Sequence, residues 1–121
     1  GVKEALDIVK QKFCLAILTN KPKKLVEKTI IHHQIKSFFE CIVCREDVHK
    51  KKPDPEGLYL ILNTLDLTTK EIVYVGDSII DAVLANSENI DFILYNKDLS
   101  HEFEFKRINK FYEILSYMDN L

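Results

Sequence analysis

A chain of 121 residues, 46% hydrophobic and 30% charged, is long enough for one globular domain with a core and too apolar to be disordered. A formal net charge of −2 excludes a surface built for nucleic acid, and no apolar run reaches the length of a membrane span. No signal peptide opens the chain and the three cysteines are an odd number, so reduced thiols in a cytoplasmic protein are expected. Gly1, where a methionine would stand, hints at an N-terminal part that precedes it.

Val2, Ala5, Leu6, Val9 and Phe13 predict an amphipathic helix over about residues 2–12. Cys14 to Leu18 follow as an apolar strand that ends at Thr19-Asn20-Lys21-Pro22. Pro22 favours a first helical turn, and Leu25, Val26 and Ile30 carry that helix to about His33. Thr19 and Asn20 therefore stand at a strand-to-helix turn. One of them caps the helix, or the hydroxyl and amide hold phosphate oxygens together with backbone N–H groups. His32 and His33 lie at the helix end, where the dipole favours them, and are assigned no chemistry.

After a turn over Ile35 to Glu40, Cys41 to Cys44 read as a strand. Cys41-x-x-Cys44 has the spacing of a redox or zinc pair, but strand positions three apart point to opposite faces and no second pair completes a zinc site. Buried structural cysteines are expected instead. Arg45 to Lys52 is a polar loop, after which Asp54 caps a helix that begins at Pro55 and is striped by Leu58, Ile61, Leu62 and Leu65. A charge run is ordinarily a solvated face. Lys52 is the exception, because Pro53 restricts its backbone and can aim the ammonium at a strand-end crevice, where a fixed cation would neutralise phosphate charge.

Thr68-Thr69-Lys70-Glu71 fits a capped turn, and Ile72 to Val75 has the unbroken apolar character of a strand buried on both faces. Gly76 permits a tight turn. From Ser78 the apolar residues Ile79, Ile80, Val83 and Leu84 recur at helical spacing, so Asp77 ends the strand and Asp81 falls in the first helical turn. Two hard oxygen donors in the crevice beyond the strand ends suit Mg²⁺, with positions left for water and a phosphate. The plainer reading of Ser78-x-x-Asp81 is a capping box. Asn89 is placed as a left-handed residue ending the helix. Asp91 to Tyr95 is a strand, Asn96 to Glu102 a polar loop and Phe103 to Lys106 a short edge strand, while Ile108, Phe111, Tyr112, Leu115 and Met118 stripe a closing helix. The whole predicts one α/β domain over residues 1–121, a doubly wound, Rossmann-like parallel sheet with helices on both faces.

The order Thr19-Asn20-Lys21-Pro22, then Lys52-Pro53-x-Pro55, then Gly76-Asp77-Ser78-x-x-Asp81 resembles the haloacid dehalogenase-like hydrolase superfamily, and Thr-Asn-Lys-Pro resembles its phosphoglycolate phosphatase branch. The resemblance covers nearly the whole chain. It implies a Mg²⁺-dependent phosphatase acting on a small phosphorylated metabolite through an aspartyl-phosphate. Thr19 and Asn20 would bind the transferring phosphoryl group, Lys52 would stabilise it, and Asp77 with Asp81 would hold Mg²⁺, with Thr19 and Lys52 as the catalytic residues.

Members of this family begin with a strand carrying Asp-x-Asp, whose first Asp attacks phosphorus, and no such strand is found in these residues. Leu65-Asp66-Leu67-Thr68-Thr69 lacks the second Asp and follows a helix. The resemblance therefore implies the carboxyl-terminal part of a core domain, without its first central strand and without the helical cap that confers substrate selectivity. That strand would lie between the Cys14 and Ile72 strands, so its absence leaves either a gap or a collapsed pairing. Two alternatives stand beside the phosphatase: a phosphomutase of the same superfamily, and a non-catalytic phosphate- or Mg²⁺-binding or interaction protein that keeps the fold. A receiver-type signalling domain is disfavoured because its acceptor Asp precedes its Thr and Lys, whereas here the acids come last.

Overall fold

A computed structural model describes residues 2–95 and 106–118 of the chain. Five helices and five strands are described, alternating as far as β4: α1 (Val2–Lys10), β1 (Ala16–Leu18), α2 (Lys23–His33), β2 (Cys41–Val43), α3 (Glu56–Leu65), β3 (Val73–Gly76), α4 (Ile79–Ser87), β4 (Asp91–Tyr95), β5 (Lys106–Ile108) and α5 (Ile114–Met118). Every described strand pairing is parallel, with α2 making the crossover between β1 and β2 and α4 that between β3 and β4. The strands form two ladders. β1 pairs with β2, and β3-β4-β5 make a separate three-stranded sheet.

Strand parity assigns the helices to faces. Ile17 packs with Val26 and Ile30 of α2, whereas the next residue, Leu18, packs toward Leu58 and Leu62 of α3. In β3, Val73 and Val75 join a cluster with Val9 of α1 and Ile114 of α5, while Tyr74 joins Leu84 and Ala85 of α4 on the other side. Successive strand residues point to opposite faces, so α1, α2 and α5 cover one face and α3 and α4 the other. Gly57 lets α3 lie close: a Cβ there would come within 2.5 Å of Leu18 Cδ1.

Several helix ends follow the sequence reading. The Asp54 carboxylate accepts the Glu56 N–H at 3.0 Å, although α3 begins at Glu56, one residue later than expected, with Pro55 in the cap position; Ser78 Oγ accepts the Asp81 N–H at 3.3 Å, and Asn89 takes a left-handed φ of 54° after α4. Other expectations are corrected. The first helix stops at Lys10, where turn hydrogen bonds from Gln11, Lys12 and Phe13 close it, and Phe13 stays exposed. Cys44 is buried and Cys41 half-buried, but Cys14 is exposed, because β1 is regular only from Ala16. The closing helix does not include Ile108, which is the fully buried end of β5 opposite Tyr95. A short 3₁₀ turn, Phe111–Glu113, precedes α5. Ile108 satisfies both the strand and the helix periodicity, and strand pairing decides between them. The expected loop over 96–102 and residues 103–105 of the expected edge strand lie outside the described residues.

The largest correction concerns β3. Ile72 to Val75, expected to be buried on both faces, are each only half-buried. Among the described residues β3 has a strand neighbour on the β4 side alone and β1 one on the β2 side alone, so the edges of β1 and β3 that are not in a ladder leave both strands incompletely covered. The core is instead centred beneath α4 and β4, where Leu84, Ala85 and Leu94 are essentially inaccessible. Leu84→Ala is expected to lose about 2–5 kcal/mol of unfolding free energy. Val83→Ala, one position along on the exposed face, should stay within about 0.5 kcal/mol. Urea denaturation midpoints of the two variants check this.

Candidate functional site

The carboxyl ends of β1 and β3 carry the residues that the sequence singles out. After β1 the chain turns at Thr19, whose N–H donates to Val43 O at 3.0 Å and whose hydroxyl accepts the Lys21 N–H at 3.1 Å. The hydroxyl thus organises the turn, and α2 behind it has no side-chain cap of its own at Pro22. The first N–H of α2, that of Lys23, is taken by both carboxylate oxygens of Glu46 at 3.0 Å. That helix end is therefore already neutralised by an acid from the neighbouring loop.

Asn20 is engaged with the third motif residue. Its carboxamide oxygen accepts the Lys52 N–H at 3.0 Å, and its amide nitrogen donates to the Lys52 carbonyl at 3.3 Å. An amide side chain has one acceptor oxygen and two donors, so this pairing uses both of its functions on a single residue's main chain. Lys52, followed by a cis peptide bond to Pro53, is thereby anchored beside the β1 turn. Its loop is tied down further by Glu56, which accepts the N–H groups of His49 and Lys50 at 2.7 Å each.

From that anchor the Lys52 side chain reaches across the crevice. Its ammonium donates to the carbonyl of Leu18 at 3.3 Å, at the end of β1, and to Asp81 Oδ1 at 2.7 Å, on the β3 side. Both side chains are nearly enclosed, with 13% of Lys52 and 5% of Asp81 exposed. An ammonium has three donors, and two are used among the described residues, which leaves one to offer an anion.

Asp81 is the most heavily engaged residue of the site. Oδ1 accepts from Lys52 and from the Tyr74 hydroxyl, both at 2.7 Å, and Oδ2 accepts from the Asp77 N–H at 3.2 Å and from Ser78 Oγ at 3.1 Å. Burial alone pushes its carboxyl group up, but the hydrogen bonds from Lys52 and Tyr74, the Lys52 charge and Ser78 outweigh it and hold the group below the usual range. For the Tyr74 phenol, burial followed by the bond to Asp81 acts in one direction, strongly upward, so it remains a donor. Gly76 owes its place to this carboxylate. Its φ is not positive, and a Cβ there would lie 2.5 Å from Asp81 Cβ and 2.7 Å from Cγ, so close approach rather than turn conformation requires glycine.

The structure therefore brings Thr19, Asn20, Lys52 and Asp81 to one crevice, with Asp77 exposed at its β3 rim. The sequence reading passed over Tyr74 and the Leu18 carbonyl. A carbonyl carries no sequence signal. A tyrosine in an otherwise aliphatic strand does, since a buried phenol needs a hydrogen-bond partner. The donor set suits a hard cation only in part: among the described residues no three His, Cys, Asp or Glu side chains gather. A carboxylate has about four acceptor positions, and those of Asp81 are matched by four protein donors. Asp77, at the exposed rim, could hold a cation such as Mg²⁺, whose coordination would then come mostly from water, phosphate or other protein groups.

The family model for haloacid dehalogenase-like hydrolase matches residues 1–95. A phosphoglycolate phosphatase of Pectobacterium atrosepticum is 40% identical over 78 residues, covering 64% of this chain and 33% of its own length. One from Vibrio cholerae is 34% identical over 82 residues, covering 68% and 36%. The chain thus spans about a third of the length of these curated relatives. Among solved structures, a predicted phosphoglycolate phosphatase from Haemophilus somnus superposes with a TM-score of 0.86 at 28% identity, over 97% of this chain and 55% of that one. A putative beta-phosphoglucomutase from Thermotoga maritima gives 0.87 at 26% identity, over 100% and 59%. With most of its length matched by the family model and three motifs meeting at the ends of β1 and β3, the chain belongs to the haloacid dehalogenase-like hydrolases.

Proposed function

We propose that the protein carrying this chain is a Mg²⁺-dependent phosphatase of the cytoplasm that hydrolyses a small phosphorylated metabolite, with residues 1–121 as part of its core domain. The observation that carries this reading is the Lys52 ammonium, held between the ends of β1 and β3 with one N–H to offer an anion. A phosphoryl group seated there would meet the Thr19 turn on one side and the Asp77 rim on the other. Lys52 would neutralise charge on its oxygens as the bond to the leaving group breaks. The Thr19 hydroxyl, whose hydrogen is left available by the bond it accepts from Lys21, would orient those oxygens, while Asn20 contributes by fixing the Lys52 main chain. Bound Mg²⁺ would neutralise phosphate charge and orient the group. Asp77 would hold it, and Asp81 would add negative charge beside it.

The attacking group belongs to a strand outside these residues. The open edges of β1 and β3 favour its insertion between them, which would complete both ladders and present a carboxylate at the same end of the sheet. Its oxygen would bond to phosphorus as the ester oxygen departs, giving an aspartyl-phosphate that water then hydrolyses. The likeness to a putative beta-phosphoglucomutase keeps a phosphomutase as the second reading, in which a sugar phosphate rather than water accepts the phosphoryl group.

Phosphate release by the full-length protein from a generic aryl phosphate should require Mg²⁺ and disappear with a chelator. Asp77→Asn should cost about 100-fold or more in kcat/KM, roughly 3 kcal/mol of transition-state stabilisation, whereas Cys41→Ser should leave turnover intact. A folded full-length protein with no Mg²⁺-dependent turnover would instead be a binding or interaction protein. A separate expectation concerns residues 1–121 alone. Purified and assayed in the same way, they should release no more phosphate than their own Asp77→Ala variant, and excess turnover would mean that the nucleophile lies within this chain.

A further inference from the structure

We infer that Tyr74 is a positioning residue for Lys52, acting through the Asp81 oxygen that both of them share. Tyr74 interrupts the aliphatic run of β3 between Val73 and Val75, on the face turned toward α3 and α4. Its ring packs against Phe92 of β4 with centroids 5.7 Å apart, so the strand pair sets the direction in which the phenol projects. Two side-chain torsions make it a short, stiff strut. The hydroxyl ends 2.7 Å from Asp81 Oδ1, and the Lys52 ammonium reaches the same oxygen at 2.7 Å.

Each carboxylate oxygen of Asp81 is held by two donors, so the group cannot turn about its terminal torsion without breaking several bonds at once. On Oδ2 those donors come from Asp77 and Ser78, close to Asp81 in the chain. On Oδ1 the two donors are Lys52 and Tyr74. Lysine has a long flexible side chain and cannot fix its own acceptor. Without the phenol, Oδ1 would keep Lys52 as its one partner, and the carboxylate could tilt with it about the Oδ2 bonds. With it, the acceptor is referenced to the sheet, and the ammonium is referenced to the acceptor. Asn20 fixes the other end of Lys52, so its main chain is held from β1 and its charge between the Leu18 carbonyl of β1 and Asp81 on the β3 side.

The catalytic consequence rests on the phosphatase reading, but the geometric one does not, and the test separates them. In the full-length protein, lysine labelled at Nζ should give a Lys52 ammonium signal that survives at neutral pH, because both bonded protons are shielded from solvent. Protons from Lys52 and Tyr74 that point at one oxygen are at most about 4 Å apart. A nuclear Overhauser contact between the Tyr74 hydroxyl and the Lys52 ammonium is therefore expected in the unsubstituted protein. Tyr74→Phe keeps the ring and should speed exchange of the Lys52 signal by about tenfold or more without loss of the fold. It should also lower kcat by about 10- to 100-fold with KM nearly unchanged. Tyr59→Phe, which removes an exposed phenol bonded to Glu88, should change neither readout. An absent Overhauser contact, or a Lys52 signal indifferent to Tyr74→Phe, overturns the inference whatever the turnover. If the spectra respond as expected in a protein without phosphatase activity, the positioning stands and the phosphatase reading fails.

Discussion

The ion pair between Lys52 and Asp81 is the constraint on which the rest of the arrangement depends, because it links the β1 half of the molecule to the β3 half where, among the described residues, no strand ladder does. Enclosing both charges is expensive, and a buried pair roughly breaks even against apolar groups of the same shape. Its value therefore lies less in stability than in geometry. The pair is tolerable because neither member is left short of partners: Asp81 accepts four hydrogen bonds, and Lys52 also reaches the Leu18 carbonyl. Apolar contacts reinforce the link from both faces: Leu58 and Leu62 of α3 join α4 and β4 in one cluster with Leu18 of β1 at its margin, and on the other face Leu15, leading into β1, packs against the cluster of Val9 and Ile93 that Val73 and Val75 also border.

The division into two ladders explains why burial in the sheet is uneven. β4 has strands on both sides and its three central residues are buried, whereas β3 is half-buried throughout. Both strands have strongly apolar sequences. Sequence shows the tendency to be covered, and the number of neighbouring strands decides how far it is met. Apolar strand edges that carry unused hydrogen-bonding groups favour pairing with another strand. Here those edges flank the crevice, so a strand that filled the space would also bring its carboxyl end to Lys52.

Much of this was legible in the sequence because it rests on local rules. The alternation of strands and helices, the turn at Thr19, the cap at Asp54, the left-handed Asn89 and the strand end at Asp77 all follow from the residue types and their immediate neighbours. Long-range competition decided what was misread. Ile108 fits two periodicities, and only its pairing with Tyr95 selects the strand. Phe13 continues the helical stripe in sequence, but the helix has already ended at Lys10. Of the candidate site residues, Lys52 and Asp81 were picked out without any sign that they touch, since 29 positions separate them. Nor does anything near Asn20 in sequence show that its amide bonds to the Lys52 main chain, 32 positions away.

Two readings of Ser78-x-x-Asp81 that look like alternatives in the sequence describe the same atoms. Ser78 caps α4 by accepting the Asp81 N–H, and its hydroxyl hydrogen returns to Asp81 Oδ2. That cap, with the Asp77 N–H, turns the carboxylate so that Oδ1 faces Lys52 and Tyr74. Gly76 completes the constraint, because any side chain there would push into Asp81 and, through it, disturb Lys52. The three motifs thus form one connected unit. Asn20 holds the Lys52 main chain, the Lys52 ammonium meets Asp81, and Asp81 holds the backbone turn that presents Asp77. A change at any member would be felt at the others, so the small residue at position 76 and the phenol at position 74 are as much part of the site's geometry as its charged groups.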